Sequence, residues 1–213
     1  MTILNKITNF IKYKIKNPYQ EAFKILDTYN LKANSKIIDL GAHKGIISEY
    51  FLKKGCEVYA YEPNPHIFKY LCRLKLKYEK FNCYNLGIHS KRGKFSFYFK
   101  KIENSDKVKL DSEGNSLIID KHNISKKNSI KAHCITLQHI ISKTGKVDLI
   151  KVDIEGSEYE IFRDLIKFSD DFDNCIIETH YKKLSDKYIH LHQEMLKTIE
   201  NHPNKLKFKL NYI

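Results

Sequence analysis

The sequence predicts an α/β fold with a mainly parallel sheet covered by helices on both faces. Short apolar runs alternate along the chain with stretches whose apolar residues recur at helical spacing. The run at residues 147–153 is strongly apolar, which is typical of a strand buried on both faces. Gly41 and Gly45 follow the apolar run at residues 36–40, where a strand can turn sharply into a helix. Strands that alternate with helices in this way favour a parallel sheet.

The chain begins with two predicted helices. Over residues 3–15, apolar residues recur at helical spacing with lysines between them, which predicts a basic amphipathic helix. Asn17 and Pro18 predict the start of a second helix, as its cap and its first residue. We predict that residues 1–34 form a helical extension packed on a domain at residues 35–213. A first helix lying on a membrane surface is the alternative.

The remaining chain alternates between strands and helices. Pro63 and Pro65 end the second strand, and Gly55 follows the helix before it. Residues 101–128 are polar and predict a long loop, which in a compact domain is usually a lid or a disordered segment. The predicted strands lie at residues 36–40, 56–62, 81–86, 95–99, 130–135, 147–153, 174–179 and 205–213.

Length and composition narrow the possible classes of protein. A chain of 213 residues fits one α/β domain, and its 42% hydrophobic residues exclude global disorder. No apolar run approaches the roughly 18 residues of a membrane span, and the N-terminus lacks an export signal core. Five cysteines without a CxxC pair predict reduced thiols. We therefore expect a cytoplasmic protein.

The net charge of +13 has two interpretations. It can indicate an anionic partner such as nucleic acid or a membrane surface. It can also reflect a composition that is rich in lysine throughout. The excess is uneven, since residues 65–101 hold ten Lys or Arg and one acid, Glu79. An acidic or phosphorylated substrate near that region is a further hypothesis.

The carboxyl ends of the predicted strands indicate a ligand site. In parallel sheets, ligands bind outside these ends. Glu62 ends the second strand about 20 residues after Gly41, where a carboxylate can accept hydrogen bonds from ribose hydroxyls. Asp39 stands beside the glycine turn, and an acid there disfavours a pyrophosphate. A nucleoside cofactor with an amine and a sulfonium, and without phosphate, fits Asp39 better.

Three motifs carry a resemblance to a known family. Residues 39–45 (DLGAHKG), 61–64 (YEPN) and 148–158 (DLIKVDIEGSE) resemble the FkbM family of S-adenosylmethionine-dependent methyltransferases. The likeness covers roughly residues 35–182, and its last motif is the most specific. It implies a Rossmann-like class I methyltransferase fold. It also implies O-methylation of hydroxyls on sugars, glycans, polyketides or similar metabolites.

The resemblance also implies which residues bind the cofactor. Asp39, Gly41 and Ala42 would approach its methionine part, Glu62 would hold the ribose, and the adenine would lie near residues 86–88. The full set of predicted cofactor-binding residues is Asp39, Gly41, Ala42, Gly45, Glu62, Pro63, Asn64, Gly87 and Asp153.

Two departures from the family pattern stand out. Gln138 follows Thr136-Leu137, where the family has aspartate, which affects a packing or loop contact more than the chemistry. One predicted strand follows the last helix, where this fold typically ends in an antiparallel pair. The sheet edge could be reduced, or a partner such as a second copy of the chain could complete it.

Acidic residues and a histidine follow two neighbouring strands. Alternation along the strands predicts that Asp153, Glu155, Glu178 and His180 converge near the transferred methyl group. We predict Asp153, Glu155 and His180 as catalytic, with His180 or Asp153 taking the proton of the acceptor hydroxyl. Alternatively, Asp153, Glu178 and His180 bind a divalent cation such as Mg²⁺. For Lys151, within the strand, we predict an ionic partner.

Two other functions compete with methylation of a small molecule or glycan. A ribose 2′-O-methyltransferase or other nucleic-acid methyltransferase would suit the net charge of +13. Such RNA enzymes generally have a lysine at the end of the fifth strand, and this chain has Glu178-Thr179-His180 there. A basic binding module without enzymatic activity is the third reading, and the intact glycine turn with Glu62 argues against it.

Overall fold

The computed structural model of the protein describes residues 19–211. The predicted helix at residues 3–15, the helix start at residues 17–18 and the last two residues of the final predicted strand lie outside the described residues. The strands are β1 (Lys36–Leu40), β2 (Glu57–Tyr61), β3 (Phe81–Tyr84), β4 (Gly87–Ile88), β5 (Gly93–Lys101), β6 (Val108–Lys109), β7 (Ile124–Ile135), β8 (Val147–Val152), β9 (Phe172–Ile177) and β10 (Phe208–Leu210). The α-helices are α1 (Gln20–Asp27), α2 (Ile46–Lys53), α3 (Pro65–Lys75), α4 (Leu137–Thr144), α5 (Glu158–Lys167) and α6 (Lys187–Glu200).

A parallel sheet of six strands forms the centre of the fold. Its order is β10-β9-β8-β1-β2-β3, and every neighbouring pair in it is parallel. The order reverses direction between β1 and β8, the point at which ligands bind in sheets of this kind. This architecture confirms the predicted Rossmann-like α/β fold.

Helices cover both faces of this sheet, as predicted. Ile37 and Ile38 point to opposite faces because successive side chains of a strand alternate. The Ile37 face packs against α1, α2 and α3. The Ile38 face packs against α4 and α5, and α6 packs against α5 through Tyr188 and Met195. Ala22 and Leu26 of α1 are buried in the first of these layers.

A second sheet of four strands, in the order β4-β7-β5-β6, corrects the prediction for residues 101–128. The sequence predicts a strand from residue 130, but β7 begins at Ile124 and pairs with Lys100 beyond a bulge in β5. Lys126, Lys127 and Asn128 are exposed, so this half of β7 carries no apolar pattern. The buried Phe97 and Phe99 form part of this sheet's small apolar cluster. The predicted long loop is therefore reduced to the connection between β5 and β7.

The start of α3 follows from its sequence. Pro65 occupies the first helical position, and the Asn64 side chain accepts a hydrogen bond from the His66 amide at 2.9 Å. The same Asn64 side chain donates to the Leu110 carbonyl at 2.6 Å. Asn64 therefore joins α3 to the connection between β6 and β7. Within residues 19–211, no helix is both long and apolar enough to cross a membrane.

Candidate active site

Two adjoining cavities lie at the carboxyl end of the parallel sheet. The first extends towards Glu62 and Gly87, and the second towards Glu178 and His180. Five residues line both cavities: Gly41, His43, Glu113, Asp153 and Glu155. Most of the predicted site residues therefore meet at the edge of the sheet that the strand order selects, and Asp39 and Gly45 do not line either cavity.

Glu62 is the buried polar group of the first cavity. One carboxylate oxygen accepts from the His43 amide at 3.0 Å, and the other accepts from the Asn64 amide at 2.8 Å. Burial raises the pKa of Glu62 to about 7, although these two amides and Lys151 oppose the shift. Each carboxylate oxygen has a second lone pair, so the group can also accept from ligand hydroxyls.

The rest of the first cavity is mainly apolar. Asn64 lines it, but its side chain is already bonded to α3 and Leu110. Gly87 leaves no room for a side chain, since a Cβ there would lie 2.7 Å from the Cys134 sulfur. The apolar and aromatic lining residues are Tyr61, Pro63, Ile67, Leu86, Ile88, Phe97, Leu117 and Ile154.

The two glycines of the turn after β1 have different neighbours. Gly41 has φ +76°, and a Cβ there would lie 1.8 Å from the Asp153 carbonyl oxygen. Its amide and that of Ala42 donate to the Tyr61 carbonyl at 3.0 and 3.1 Å. Gly45 has φ +81°, and a Cβ there would lie 2.4 Å from Leu74 of α3. Gly41 and Ala42 thus face the cavities, whereas Gly45 permits helix packing and lines neither cavity.

Asp39 lies behind the cavity wall. It is fully buried and accepts from the Ser48 hydroxyl at 2.6 Å. Lys151 Nζ lies 3.0 Å from its other oxygen and donates to the Gly41 carbonyl at 2.8 Å. The predicted ionic partner of Lys151 is therefore Asp39. Asp39 lines neither cavity, so its influence on a ligand passes through the glycine turn and Lys151.

The polar residues that follow β8 and β9 all line the second cavity, as predicted. They are Asp153, Glu155, Glu178 and His180. Strand alternation does not explain why these side chains converge, because both strands end before these residues. Glu155 has φ +54°, a left-handed conformation that is uncommon outside glycine. His180 Nε2 lies 3.7 Å from an Asp153 oxygen and 3.5 Å from a Glu155 oxygen.

His180 is oriented by Glu158, which the sequence analysis did not place in the site. One oxygen of the buried Glu158 accepts from the His180 amide at 2.7 Å and lies 3.2 Å from His180 Nδ1. Its other oxygen accepts from the Gly156 amide at 2.8 Å. A carboxylate only accepts, so Nδ1 carries a proton, and in the neutral imidazole the lone pair is on Nε2, the nitrogen nearest Asp153 and Glu155. Burial alone would lower the pKa of His180, but Glu158 and the two other acids hold it above its ordinary value.

The connection between β6 and β7 covers the site, and we call residues 110–123 the roof segment. Ser112, Glu113 and Asn115 line the first cavity from this side. The Ser116 hydroxyl donates to the Glu155 carbonyl at 2.7 Å. Lys121 also reaches the Glu155 carboxylate, with which it forms an ion pair. These roof contacts had no signal in the sequence beyond the polar composition of the segment.

A polar chain links the roof to α1 and the glycine turn. The Tyr19 hydroxyl donates to Glu113 at 3.0 Å, and His43 Nδ1 lies 3.7 Å from the same oxygen. Burial and the Glu113 charge raise the pKa of Tyr19 to about 12, so the hydroxyl keeps its proton at neutral pH. Tyr19, His43 and Glu113 all line the second cavity. The contacts among Tyr19, His43 and Glu113 were not predicted from the sequence.

The acids and His180 offer a partial cation site. Among the described residues, Asp153, Glu155 and His180 each provide a ligand atom within 4.8 Å of one another. The predicted metal set had Glu178 in place of Glu155. Glu178 lines the same cavity but lies outside this group. Glu158 would serve as the outer partner that orients a ligating histidine.

Comparisons with known proteins identify the family. The model of the methyltransferase FkbM domain matches residues 39–209. A search of curated proteins found no match.

Solved structures share limited similarity with the chain. One is a TehB-like SAM-dependent methyltransferase from Corynebacterium glutamicum, with 21% identity, a TM-score of 0.27, and coverage of 38% of this chain and 41% of that one. A precorrin-6y C5,15-methyltransferase from Geobacter metallireducens gives 9% identity and a TM-score of 0.44, covering 89% of this chain and 73% of that one. A SAM-dependent methyltransferase from Aquifex aeolicus has 17% identity and a TM-score of 0.32, and the match covers 76% of this chain and 63% of that one. On the strength of the domain match, the chain belongs to the FkbM family of S-adenosylmethionine-dependent methyltransferases.

Proposed function

We propose that this protein transfers a methyl group from S-adenosylmethionine to a hydroxyl of a sugar, a glycan or a related small molecule. One observation carries the proposal. A cavity suited to a nucleoside joins a second cavity, and the Glu158–His180 pair presents an imidazole nitrogen beside the shared residues Asp153 and Glu155.

The first cavity fits the adenosine part of the cofactor. Glu62 would accept hydrogen bonds from both ribose hydroxyls while it keeps its bonds to the His43 and Asn64 amides. The apolar walls near Leu86 and Ile88 suit an adenine ring. The methionine part would extend along Gly41 and Ala42 towards the second cavity. When bound, S-adenosylmethionine supplies an electrophilic methyl group.

His180 would act as the general base. Its Nε2 would take the proton of the acceptor hydroxyl as that oxygen receives the methyl group, and S-adenosylhomocysteine would be the other product. Glu158 holds the imidazole in the required tautomer and stabilises its charged form. Asp153 and Glu155 lie close enough to Nε2 to stabilise the same charge or to position the acceptor. A base oriented by a carboxylate contributes about 10²–10⁴ in rate.

A group of three cations, of which Lys44 lines the second cavity, supports an acceptor with a negative charge, although four acids line the same cavity. Lys44 lines that cavity, and its Nζ lies 5.5 Å from the centre of the Tyr70 ring. Lys69 Nζ and Arg73 Cζ lie 5.6 and 5.5 Å from the same ring. Among the described residues, Asp111 forms an ion pair with this group of cations, with its carboxylate 4.0 Å from Lys44 Nζ. Three clustered cations attract a phosphate or carboxylate group.

Two alternatives remain as outcomes of the test. Asp153, Glu155 and His180 could bind a divalent cation that acidifies the acceptor hydroxyl. The net charge of +13 could serve an RNA substrate.

The deciding experiment measures transfer of labelled methyl from the cofactor to neutral sugars, sugar phosphates, oligosaccharides and RNA, with and without a chelator. We expect transfer to a carbohydrate, strongest for anionic members and unchanged by the chelator. Transfer to RNA alone would overturn the choice of acceptor, and transfer abolished by the chelator would favour a bound cation. For a substitution at His180 in the same assay, Asp173→Asn is the control, since Asp173 is exposed and pairs with Lys146 at the opposite end of the sheet.

A further inference from the structure

Lys121 is a buried cation that the proposed reaction does not use. Its side chain has no exposed surface, which is rare for lysine because an ammonium loses its hydration on burial. Nζ donates to the Gly114 carbonyl at 2.7 Å and to the Glu155 carboxylate. Gly114 belongs to the roof segment, whereas Glu155 belongs to the turn after β8. Lys121 therefore fastens the roof to the acidic site by a charge-assisted hydrogen bond.

The Glu155 oxygen that Lys121 contacts also faces His180 and Lys183. His180 Nε2 lies 3.5 Å from this oxygen and Lys183 Nζ lies 3.9 Å from it. A divalent ion bridging Asp153, Glu155 and His180 would share the Glu155 carboxylate with the Lys121 ammonium. Two cations on one half-buried carboxylate repel each other, since water screens them less at this site than on the open surface.

We propose that the Lys121 ammonium is the resident cation of the Asp153–Glu155–His180 cluster. It neutralises Glu155, keeps the roof closed over the two cavities and keeps a divalent ion out of the cluster. Lys121 is thus a positioning residue, and His180 Nε2 is left as a base instead of a metal ligand. This role concerns the same site as the proposed function and rests on it, but it can be tested without methyl transfer.

The test is a titration of the full chain with Mn²⁺, followed by electron paramagnetic resonance. The wild type is compared with Lys121→Met, which keeps much of the buried side-chain volume and removes the charge. Lys126→Met is the matched control, since Lys126 is exposed on β7 and lies outside the cluster. We expect Lys121→Met to bind Mn²⁺ about tenfold more tightly than the wild type or more. Adding Glu155→Gln to Lys121→Met should remove that gain.

The possible results separate clearly. The proposal fails if the wild type binds Mn²⁺ as tightly as Lys121→Met, or if Lys126→Met shows the same gain. Circular dichroism checks that each variant folds, and Lys121→Gln replaces Lys121→Met if that variant does not. If neither variant folds, the wild-type titration decides, because tight Mn²⁺ binding would contradict a resident ammonium and weak binding would agree with it. Failure to bind S-adenosylmethionine would count against the proposed function alone.

Discussion

Cofactor affinity should depend on the ionisation of Glu62. Burial raises the pKa of this carboxyl to about 7 in the unliganded protein. Ribose hydroxyls donate hydrogen bonds, so they favour the ionised carboxylate, and binding at lower pH must release a proton. With a pKa of about 7, the ionised fraction falls about tenfold between pH 8 and pH 6. The affinity for cofactor should fall by the same factor, which corresponds to about 1.4 kcal/mol.

The raised pKa of Glu62 also makes the stability of the folded protein depend on pH. The native protein binds more protons than the unfolded chain between the ordinary pKa of Glu62, 4.5, and its raised value of about 7. The contribution of Glu62 to stability is therefore fully present below pH 4.5 and is lost as the pH rises through about 7. Bound cofactor should reduce this loss.

Replacement of Glu62 tests the assignment directly. Glu62→Gln removes the charge and leaves one backbone amide of the pair at His43 and Asn64 without its acceptor. A ribose hydrogen bond to the ionised carboxylate is worth about 1.5–3 kcal/mol, and a neutral amide accepts it more weakly, so we expect the affinity to fall about tenfold or more. Glu57→Gln is the matched control, since Glu57 lies at the opposite end of β2.

Calorimetry measures both effects. S-adenosylmethionine is titrated into wild type, Glu62→Gln and Glu57→Gln at pH 6, 7 and 8, in two buffers of different ionisation enthalpy that count released protons. The pH dependence that remains in Glu62→Gln reports other titrating groups. Normal affinity in Glu62→Gln, or equal proton release in this variant and the wild type, would refute the reasoning.

Three other changes have defined outcomes. His180→Asn should leave the calorimetric affinity for cofactor within about twofold and reduce turnover about 10²–10⁴-fold, and an unchanged turnover would exclude His180 as the base. Wild-type turnover should rise with pH through an inflection above 6.5, because Glu158 and nearby acids raise the pKa of His180 despite its burial. Gly41→Ala should lose cofactor binding or fail to fold, because its Cβ would lie 1.8 Å from a backbone oxygen, and a normal melting curve with normal binding would contradict this. Lys151→Met should lower the free energy of unfolding by urea by about 3–5 kcal/mol, because it leaves a buried carboxylate unpaired; a loss below about 1 kcal/mol would contradict a structural ion pair.

The sequence predicted the features that depend on local patterns. The alternation of strands and helices, the turn at Gly41 and the carboxylate at Glu62 follow from residue types at short spacings. The convergence of Asp153 and His180 follows from the rule that ligands bind at the carboxyl ends of parallel strands. These inferences needed no knowledge of how distant side chains pack.

The remaining features depend on register and on long-range packing. Asp39 and Lys151 are direct partners in the pairing of β1 with β8, and only that register shows that Asp39 is neutralised behind the cavity wall. Glu158 resembles any acid in the first turn of a helix until its contact with His180 is seen. Lys121 stands in a polar stretch where a lysine is ordinarily solvated, and only the folded structure shows it buried against Gly114 and Glu155.

A crystal structure of the full chain with bound S-adenosylhomocysteine tests the central claim most directly. We expect the ribose hydroxyls on Glu62, the adenine between the apolar walls near Leu86 and Ile88, and the sulfur atom facing the second cavity. The position next to the sulfur that the methyl group occupies in S-adenosylmethionine should face His180 Nε2. A ribose away from Glu62, or a sulfur facing away from the second cavity, would contradict the account.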